Sequence, residues 1–131
     1  SALVRVPMYK PGKEEATRIE LRFPDPACNP YLAFSVMLAA GLEGVRKKYP
    51  LSAPIEKDIF HMTDDERKSE GINSLPGSLI EAIKLASGSE LLKKAMGSHI
   101  FEKFLENKEI EWDMYRTRIT GYEIEKYLPI L

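Results

Sequence analysis

Charged and apolar residues alternate strictly over residues 18–23. This two-residue period is that of a β-strand with one buried face, so we predict a strand over residues 17–23. Its charged side chains then share one face at a spacing of about 6–7 Å: Arg18, Glu20 and Arg22. Its apolar side chains are predicted to face a core: Ile19, Leu21 and Phe23. Taken alone, the charged face is also typical of a solvated ladder at a sheet surface.

A second, shorter strand is predicted over residues 3–7, and residues 9–16 have the proline, glycine and charge content of a loop. Two pairings are open for the strands: they form a hairpin with each other, or each pairs with a strand outside this segment. The remainder of the chain is predicted to be mostly helical. An extended segment over residues 49–60, which contains Pro50 and Pro54, interrupts it.

Helix start signals recur along this helical part. Asn29 is a good N-cap and Pro30 a good first helical residue, so we predict a helix over residues 30–48. That helix is apolar almost all round and is therefore predicted to be buried on most sides. Capping boxes predict three further helix starts: Thr63, Ser78 and Thr120. Two more helices are predicted over residues 89–96 and 99–116.

Composition limits the possible functions. The 131 residues are 44% hydrophobic and 30% charged, which is enough apolar material for one domain with a core. Nineteen basic and twenty acidic residues leave a net charge of −1, which argues against a nucleic-acid partner. No apolar run approaches the roughly 20 residues that span a bilayer, and no signal-like segment opens the chain, so no membrane partner is expected. Cys28, the only cysteine, fits a reducing, cytoplasmic location.

The most specific segment is RIELRFPDPACNPYLAF, which continues the predicted strand into a proline-punctuated turn and a helix. It resembles the last metal-binding strand of the catalytic domain of class I glutamine synthetases, the bacterial and archaeal type. Flanking segments resemble the same family in the same order: ALVRVP, MLAAGLEGV, LPGSLIEAI and KEIEWDMYRTRIT. The resemblance implies an α+β fold in which residues 1–131 are the C-terminal part of that domain, two N-terminal strands followed by a mostly helical region. The domain and strands that precede this part in the family would be absent.

The resemblance also implies an activity, which is the ATP-dependent ligation of ammonia to glutamate through γ-glutamyl phosphate, with Mg²⁺ or Mn²⁺. By position, Glu20 matches a metal ligand and Arg22 the arginine that holds the substrate glutamate. Arg5 matches an arginine at the phosphates of ATP, and Arg18 and Lys13 are assigned to the nucleotide as well. No catalytic acid or base is assigned in this chain.

Other metal-binding glutamates and the ammonia-site acid lie upstream in the family, and its active sites lie between neighbouring subunits of a dodecamer. The isolated chain is therefore expected to be inactive. Two alternatives are open: a related γ-glutamyl ligase that uses a polyamine or other amine, and a truncated, non-catalytic binding or regulatory module. Phe60 matches a tyrosine that some enterobacterial members carry and adenylylate. The resemblance therefore implies the class I branch that is regulated without this modification.

Overall fold

A computed structural model describes residues 3–130 of the chain. Two short strands come first, and the helices follow. This order confirms the predicted α+β class, with two N-terminal strands and a mostly helical remainder. The chain divides into two compact units, the first ending at Ser74 and the second beginning at Leu75. That residues 1–131 act as one part of a larger catalytic domain stays a prediction.

The two strands, β1 (Val4–Arg5) and β2 (Glu20–Leu21), pair with each other in antiparallel orientation. Val4 lies opposite Leu21 and Arg5 lies opposite Glu20. One further backbone bond, from Arg22 N to Leu3 O at 2.8 Å, extends the pairing. The hairpin is thus the pairing observed, over shorter strands than predicted. An isolated two-stranded ladder is only marginally stable in water, which fits this short regular pairing.

The core face predicted for the strand over residues 17–23 is largely wrong for this structure. Ile19 is 62% exposed and Phe23 is 43% exposed, and Leu21 is only half-buried. The alternation of the side chains is present, but a sheet face becomes a core only where a second layer covers it. The described sheet consists of these two strands alone.

Helix α1 (Pro30–Lys47) begins and ends close to the predicted positions. The Asn29 side chain accepts hydrogen bonds from Tyr31 N and Leu32 N at 3.0 and 3.3 Å. Lys48 ends the helix in the left-handed conformation with φ of 52°, and its N–H bonds carbonyls of the last turn.

The expected burial of α1 on most sides is wrong: every residue of the helix is at least partly exposed. One stripe is clearly solvent-facing, at positions three or four residues apart: Tyr31, Phe34, Leu38, Leu42 and Val45. A helix that is apolar all round is buried only if partners pack on several of its sides. The elements that share the first unit with α1 are short.

Five further helices follow: α2 (Asp64–Ser69), α3 (Leu79–Ser87), α4 (Glu90–Met96), α5 (Ser98–Arg116) and α6 (Gly121–Tyr127). The capping boxes predicted at Thr63 and Thr120 are both complete. At Ser78 only half of the box forms. Its hydroxyl accepts from Glu81 N at 3.4 Å, but the Glu81 carboxylate accepts from Gly77 N at 2.8 Å.

The second unit has a small core in which α5 packs on α3 and α4. Ile83 of α3 and Phe101 of α5 are its most buried side chains, at 5% and 6% exposure. The sequence also predicts one apolar stripe along α5, made of Phe101, Phe104, Leu105, Trp112 and Tyr115. In the structure, Trp112 is half-buried and Tyr115 is 66% exposed. The apolar stripe is therefore buried toward the N-terminal end of α5 and open toward its C-terminal end. None of the helices in the described part of the chain has the length and apolarity needed to cross a bilayer.

Candidate functional site

The β1–β2 hairpin gathers four charged residues, named here the Glu20 cluster: Arg5, Arg18, Glu20 and Arg22. Arg5 reaches Glu20 from the opposite strand because the two residues are paired across the ladder. Arg18 and Arg22 lie two residues to either side of Glu20, so an extended backbone directs them to the same face. Four of the five site residues predicted from the sequence are thus brought together.

The carboxylate of Glu20 is the centre of this cluster. Its Oε2 lies 2.9 Å from Arg5 Nη1 and 3.7 Å from Arg22 Nη2, and its Oε1 lies 3.0 Å from Arg18 Nη2. The Glu20 side chain is 27% exposed, whereas the three arginine side chains are each about half exposed. The arginines therefore surround Glu20 and at the same time present donors to solvent.

These contacts fix the charge state of the cluster. The hydrogen bond from Arg5, with the positive charges of Arg5 and Arg18, lowers the pKa of Glu20, although partial desolvation opposes the shift. Glu20 is consequently ionised at neutral pH. Three guanidinium groups against one carboxylate leave the cluster net positive, a surface suited to anionic groups such as phosphates and carboxylates.

Arg22 differs from the other two arginines. Arg5 hydrogen-bonds Glu20, and Arg18 bonds both Glu20 and the Ala16 carbonyl at 3.2 Å. Among the described residues, the guanidinium of Arg22 makes no hydrogen bond, only the longer ion pair with Glu20. Its planar donor fork is therefore the most available of the three for a carboxylate ligand.

Lys13 stands apart from the cluster. It lies in the loop between the strands, immediately before the 3₁₀ turn Glu14–Ala16, and it is exposed. Within residues 3–130 the Lys13 side chain makes no hydrogen bond or ion pair with the Glu20 cluster. Its assignment to the nucleotide stays a prediction.

Sequence reasoning missed an ordered feature of the same loop. The Glu14 carboxylate accepts hydrogen bonds from the Tyr9 hydroxyl and from Gly12 N, each at 2.9 Å. A loop of mixed Lys, Pro, Gly and Glu residues gives no pattern that specifies such a bond. The only sequence signal is a glycine two residues before a glutamate at the start of a turn.

The cluster supplies only part of a metal site. A hard divalent cation prefers oxygen ligands, and Glu20 could provide one. In the part of the chain described, no group of three or more His, Cys, Asp or Glu residues is placed to hold a metal ion. Glu20 thus fits as a single ligand, and further carboxylates would have to come from elsewhere.

Comparison with known proteins gives the family. The family described as "Glutamine synthetase, catalytic domain" matches residues 1–127. Glutamine synthetase of Methanococcus maripaludis is 53% identical over 130 residues, which cover 99% of this chain and 28% of that protein.

Other relatives give the same result. Glutamine synthetase of Mycolicibacterium smegmatis is 49% identical over 130 residues, with 99% and 29% covered. That of Methanocaldococcus jannaschii is 51% identical over 128 residues, with 98% and 28% covered. The chain thus spans less than a third of the length of these archaeal and bacterial relatives. Because the family match extends over nearly all of its residues, the chain belongs to the glutamine synthetase family, as a part of the catalytic domain.

Proposed function

We propose that this chain is the C-terminal part of an enzyme that ligates ammonia to L-glutamate at the expense of ATP, giving L-glutamine, ADP and phosphate. One observation carries the proposal: a hairpin in a glutamine synthetase catalytic domain brings three guanidiniums around one ionised carboxylate. A solvated charge ladder would produce similar ion pairs, but it would not explain their occurrence in this family's domain.

We assign the three arginines of the Glu20 cluster to two anionic substrates, ATP and glutamate. We assign Arg5 and Arg18 to the phosphates of ATP, where they would offset negative charge that accumulates during phosphoryl transfer. We assign Arg22 to a carboxylate of glutamate, because its donor fork makes no hydrogen bond in the described structure. Lys13 is assigned to the nucleotide from the loop.

Glu20 has two roles in the proposed function. It holds Arg5 and Arg18 in place through hydrogen bonds of 2.9 and 3.0 Å, and it would give one oxygen ligand to Mg²⁺ or Mn²⁺. A bound divalent ion would supply electrostatic stabilisation of the transferred phosphoryl group. The remaining ligands would come from parts of the enzyme outside this chain, with sites completed between subunits of a dodecamer.

The proposed reaction has two steps. A γ-carboxylate oxygen of glutamate attacks the terminal phosphorus of ATP, and the bond from that phosphorus to ADP breaks. Ammonia then attacks the acyl carbon of γ-glutamyl phosphate, the bond to phosphate breaks, and a proton is lost to give the amide. We assign the Glu20 cluster to the first step, since a net positive charge there would offset the negative charge that develops on the transferred phosphoryl group. A cytoplasmic site of action, in keeping with the free, exposed thiol of Cys28, is part of the proposal.

The test is an assay of the full-length protein with glutamate, ATP and Mg²⁺, with either ammonia or a polyamine as the amine. We expect ammonia-dependent glutamine formation with stoichiometric phosphate release. Turnover with the polyamine but not with ammonia would instead identify a related γ-glutamyl ligase. Turnover with neither would leave the non-catalytic module as the better interpretation.

Replacing Arg22 with lysine should raise the KM for glutamate about tenfold with a smaller change in the KM for ATP. An ammonium group keeps the charge but cannot reproduce the two parallel hydrogen bonds of a guanidinium. Steady-state kinetics of the full-length variant measure both constants.

Arg118→Lys is the matched control, because within residues 3–130 the Arg118 side chain makes no hydrogen bond or ion pair. It should leave both constants unchanged. A selective rise in the KM for ATP in Arg22→Lys would move Arg22 from the glutamate site to the nucleotide site.

The enzyme should resist adenylylation at the segment around Phe60. Phe60 is 75% exposed and lies in the 3₁₀ turn Ile59–His61, so the position is accessible, but a phenyl ring has no hydroxyl to modify. Incubation with a bacterial adenylyltransferase and labelled ATP measures this, and Phe60→Tyr is the matched variant. Stoichiometric label on wild-type protein would show that another tyrosine occupies the modification position.

A further inference from the structure

The loop between β1 and β2 is held by one carboxylate. Glu14 Oε1 accepts hydrogen bonds from the Tyr9 hydroxyl and from Gly12 N, both at 2.9 Å. Glu14 also begins the 3₁₀ turn that leads into β2, where its carbonyl accepts from Thr17 N at 3.0 Å. The side chain therefore ties the start of the loop to its end.

Between these ends lies a tight turn, named here the lysine turn, over residues 10–13. Lys13 N donates to Lys10 O at 3.1 Å, and Gly12 occupies the left-handed region with φ of 76°. Glycine enters that region without steric cost, but it also leaves it easily. The bond from Gly12 N to Glu14 is therefore a restraint on the turn's most flexible residue. Lys13 comes directly after it.

The restraint persists at neutral pH. Hydrogen bonds from backbone N–H groups, followed by the bond from Tyr9, lower the pKa of Glu14, and the same contact raises the pKa of Tyr9. Glu14 is thus an acceptor and the Tyr9 hydroxyl a donor throughout the range in which the enzyme would work.

We propose that Glu14 is a positioning residue that holds the lysine turn so that Lys13 meets the phosphates of ATP. This inference rests on the proposed function, in which Lys13 contacts the nucleotide. A lysine side chain on an unrestrained loop loses conformational freedom when it binds, and a pre-ordered turn reduces that cost.

The sign of the effect separates positioning from simple electrostatics. A carboxylate in a loop that meets phosphates repels them, so its removal alone would tighten ATP binding. Removal of a positioning residue weakens ATP binding in spite of the lost negative charge. Glu15, the next residue, also carries a carboxylate but makes no hydrogen bond or ion pair in the described structure, so Glu15→Ala isolates the electrostatic part.

The test measures ATP binding to the full-length enzyme by calorimetry with Mg²⁺ present. Glu14→Ala should weaken ATP binding roughly fivefold. Tyr9→Phe removes only one of the two hydrogen bonds that the Glu14 carboxylate accepts, so it should weaken ATP binding less. Glu15→Ala should leave binding unchanged or slightly tighter. Without ATP, hydrogen exchange at the Gly12 amide should become faster in Glu14→Ala but not in Glu15→Ala.

A double-mutant cycle with Lys13→Ala completes the test. If Glu14 acts through Lys13, Glu14→Ala has little further effect once Lys13 is alanine. An undiminished effect in that background, or unchanged or tighter ATP binding in Glu14→Ala while Lys13→Ala is weakened, overturns the positioning role and leaves the proposed function intact. If Lys13→Ala binds ATP as wild type does, the nucleotide assignment of Lys13 fails and the inference fails with it.

Discussion

Replacing Glu20 with glutamine is expected to reduce turnover of the full-length enzyme about a hundredfold and to weaken divalent-metal binding at least about tenfold. A neutral amide is a poorer ligand than a carboxylate for a hard cation. It also turns one acceptor oxygen into a donor nitrogen, which would face a guanidinium of Arg5 or Arg18 donor to donor. The substitution thus disturbs a proposed metal ligand and the placement of Arg5 and Arg18, the two groups proposed to bind phosphate.

Mn²⁺ titration and steady-state kinetics measure the two effects separately. Folding should change little, because ion pairs in contact with solvent contribute little to stability, and the three arginine partners of Glu20 are each about half exposed. Circular dichroism checks this. Glu109→Gln, at an exposed helical glutamate without a hydrogen bond or ion pair in the described residues, is the matched control. Wild-type metal affinity and wild-type turnover in Glu20→Gln would exclude Glu20 from the site.

The charged part of the site was predictable because strand geometry is local. Alternation over six residues places Arg18, Glu20 and Arg22 on one face, and in the structure both arginines form ion pairs with Glu20. Arg5 could be assigned to the phosphates only by resemblance. Its partner across the ladder depends on register, which the sequence left open between a hairpin and pairing with other strands. The pairing of Arg5 with Glu20 required the structure.

Helix boundaries were also predictable where a side chain caps the backbone directly. Asn29, Thr63 and Thr120 each accept the expected bonds, and they do so because capping involves only residues within one turn. Ser78 shows the limit of this reasoning. The Glu81 carboxylate accepts from Gly77 N and not from the backbone of the N-cap residue Ser78, a difference that the spacing of residue types does not specify.

The burial of apolar side chains could not be predicted from the sequence pattern. Apolar periodicity identifies which face of a helix or strand is apolar. It does not show whether another element among the described residues packs on that face. Ile19, next to β2, and Phe34 on α1 are apolar at positions predicted to be covered, yet they are 62% and 69% exposed. Ile83 and Phe101 reach burial because α3 and α5 pack on each other within the second unit.

Residues 1–131 expressed alone are expected to form helices but to show no measurable glutamine synthesis. The caps at Asn29, Thr63, Ser89 and Thr120 are each made by nearby residues, so helix formation does not depend on distant segments. Catalysis does. Residues 3–130 bring together no group of three or more metal-binding side chains, and a single carboxylate amid three arginines cannot hold a cation against their repulsion.

The same chain should self-associate through α1. Its exposed stripe includes Phe34 and Leu38, one helical turn apart, at 69% and 64% exposure, and contiguous apolar surface of this kind drives association. Light scattering should therefore show oligomers that the double variant Phe34→Glu/Leu38→Lys reduces. This variant replaces the apolar pair with a favourable ion pair in the i, i+4 arrangement and should keep the helical circular dichroism signal. Ammonia-dependent turnover by the purified 131-residue chain would show that its own residues complete the active site. Undiminished association of the double variant would place the contact surface elsewhere than on α1.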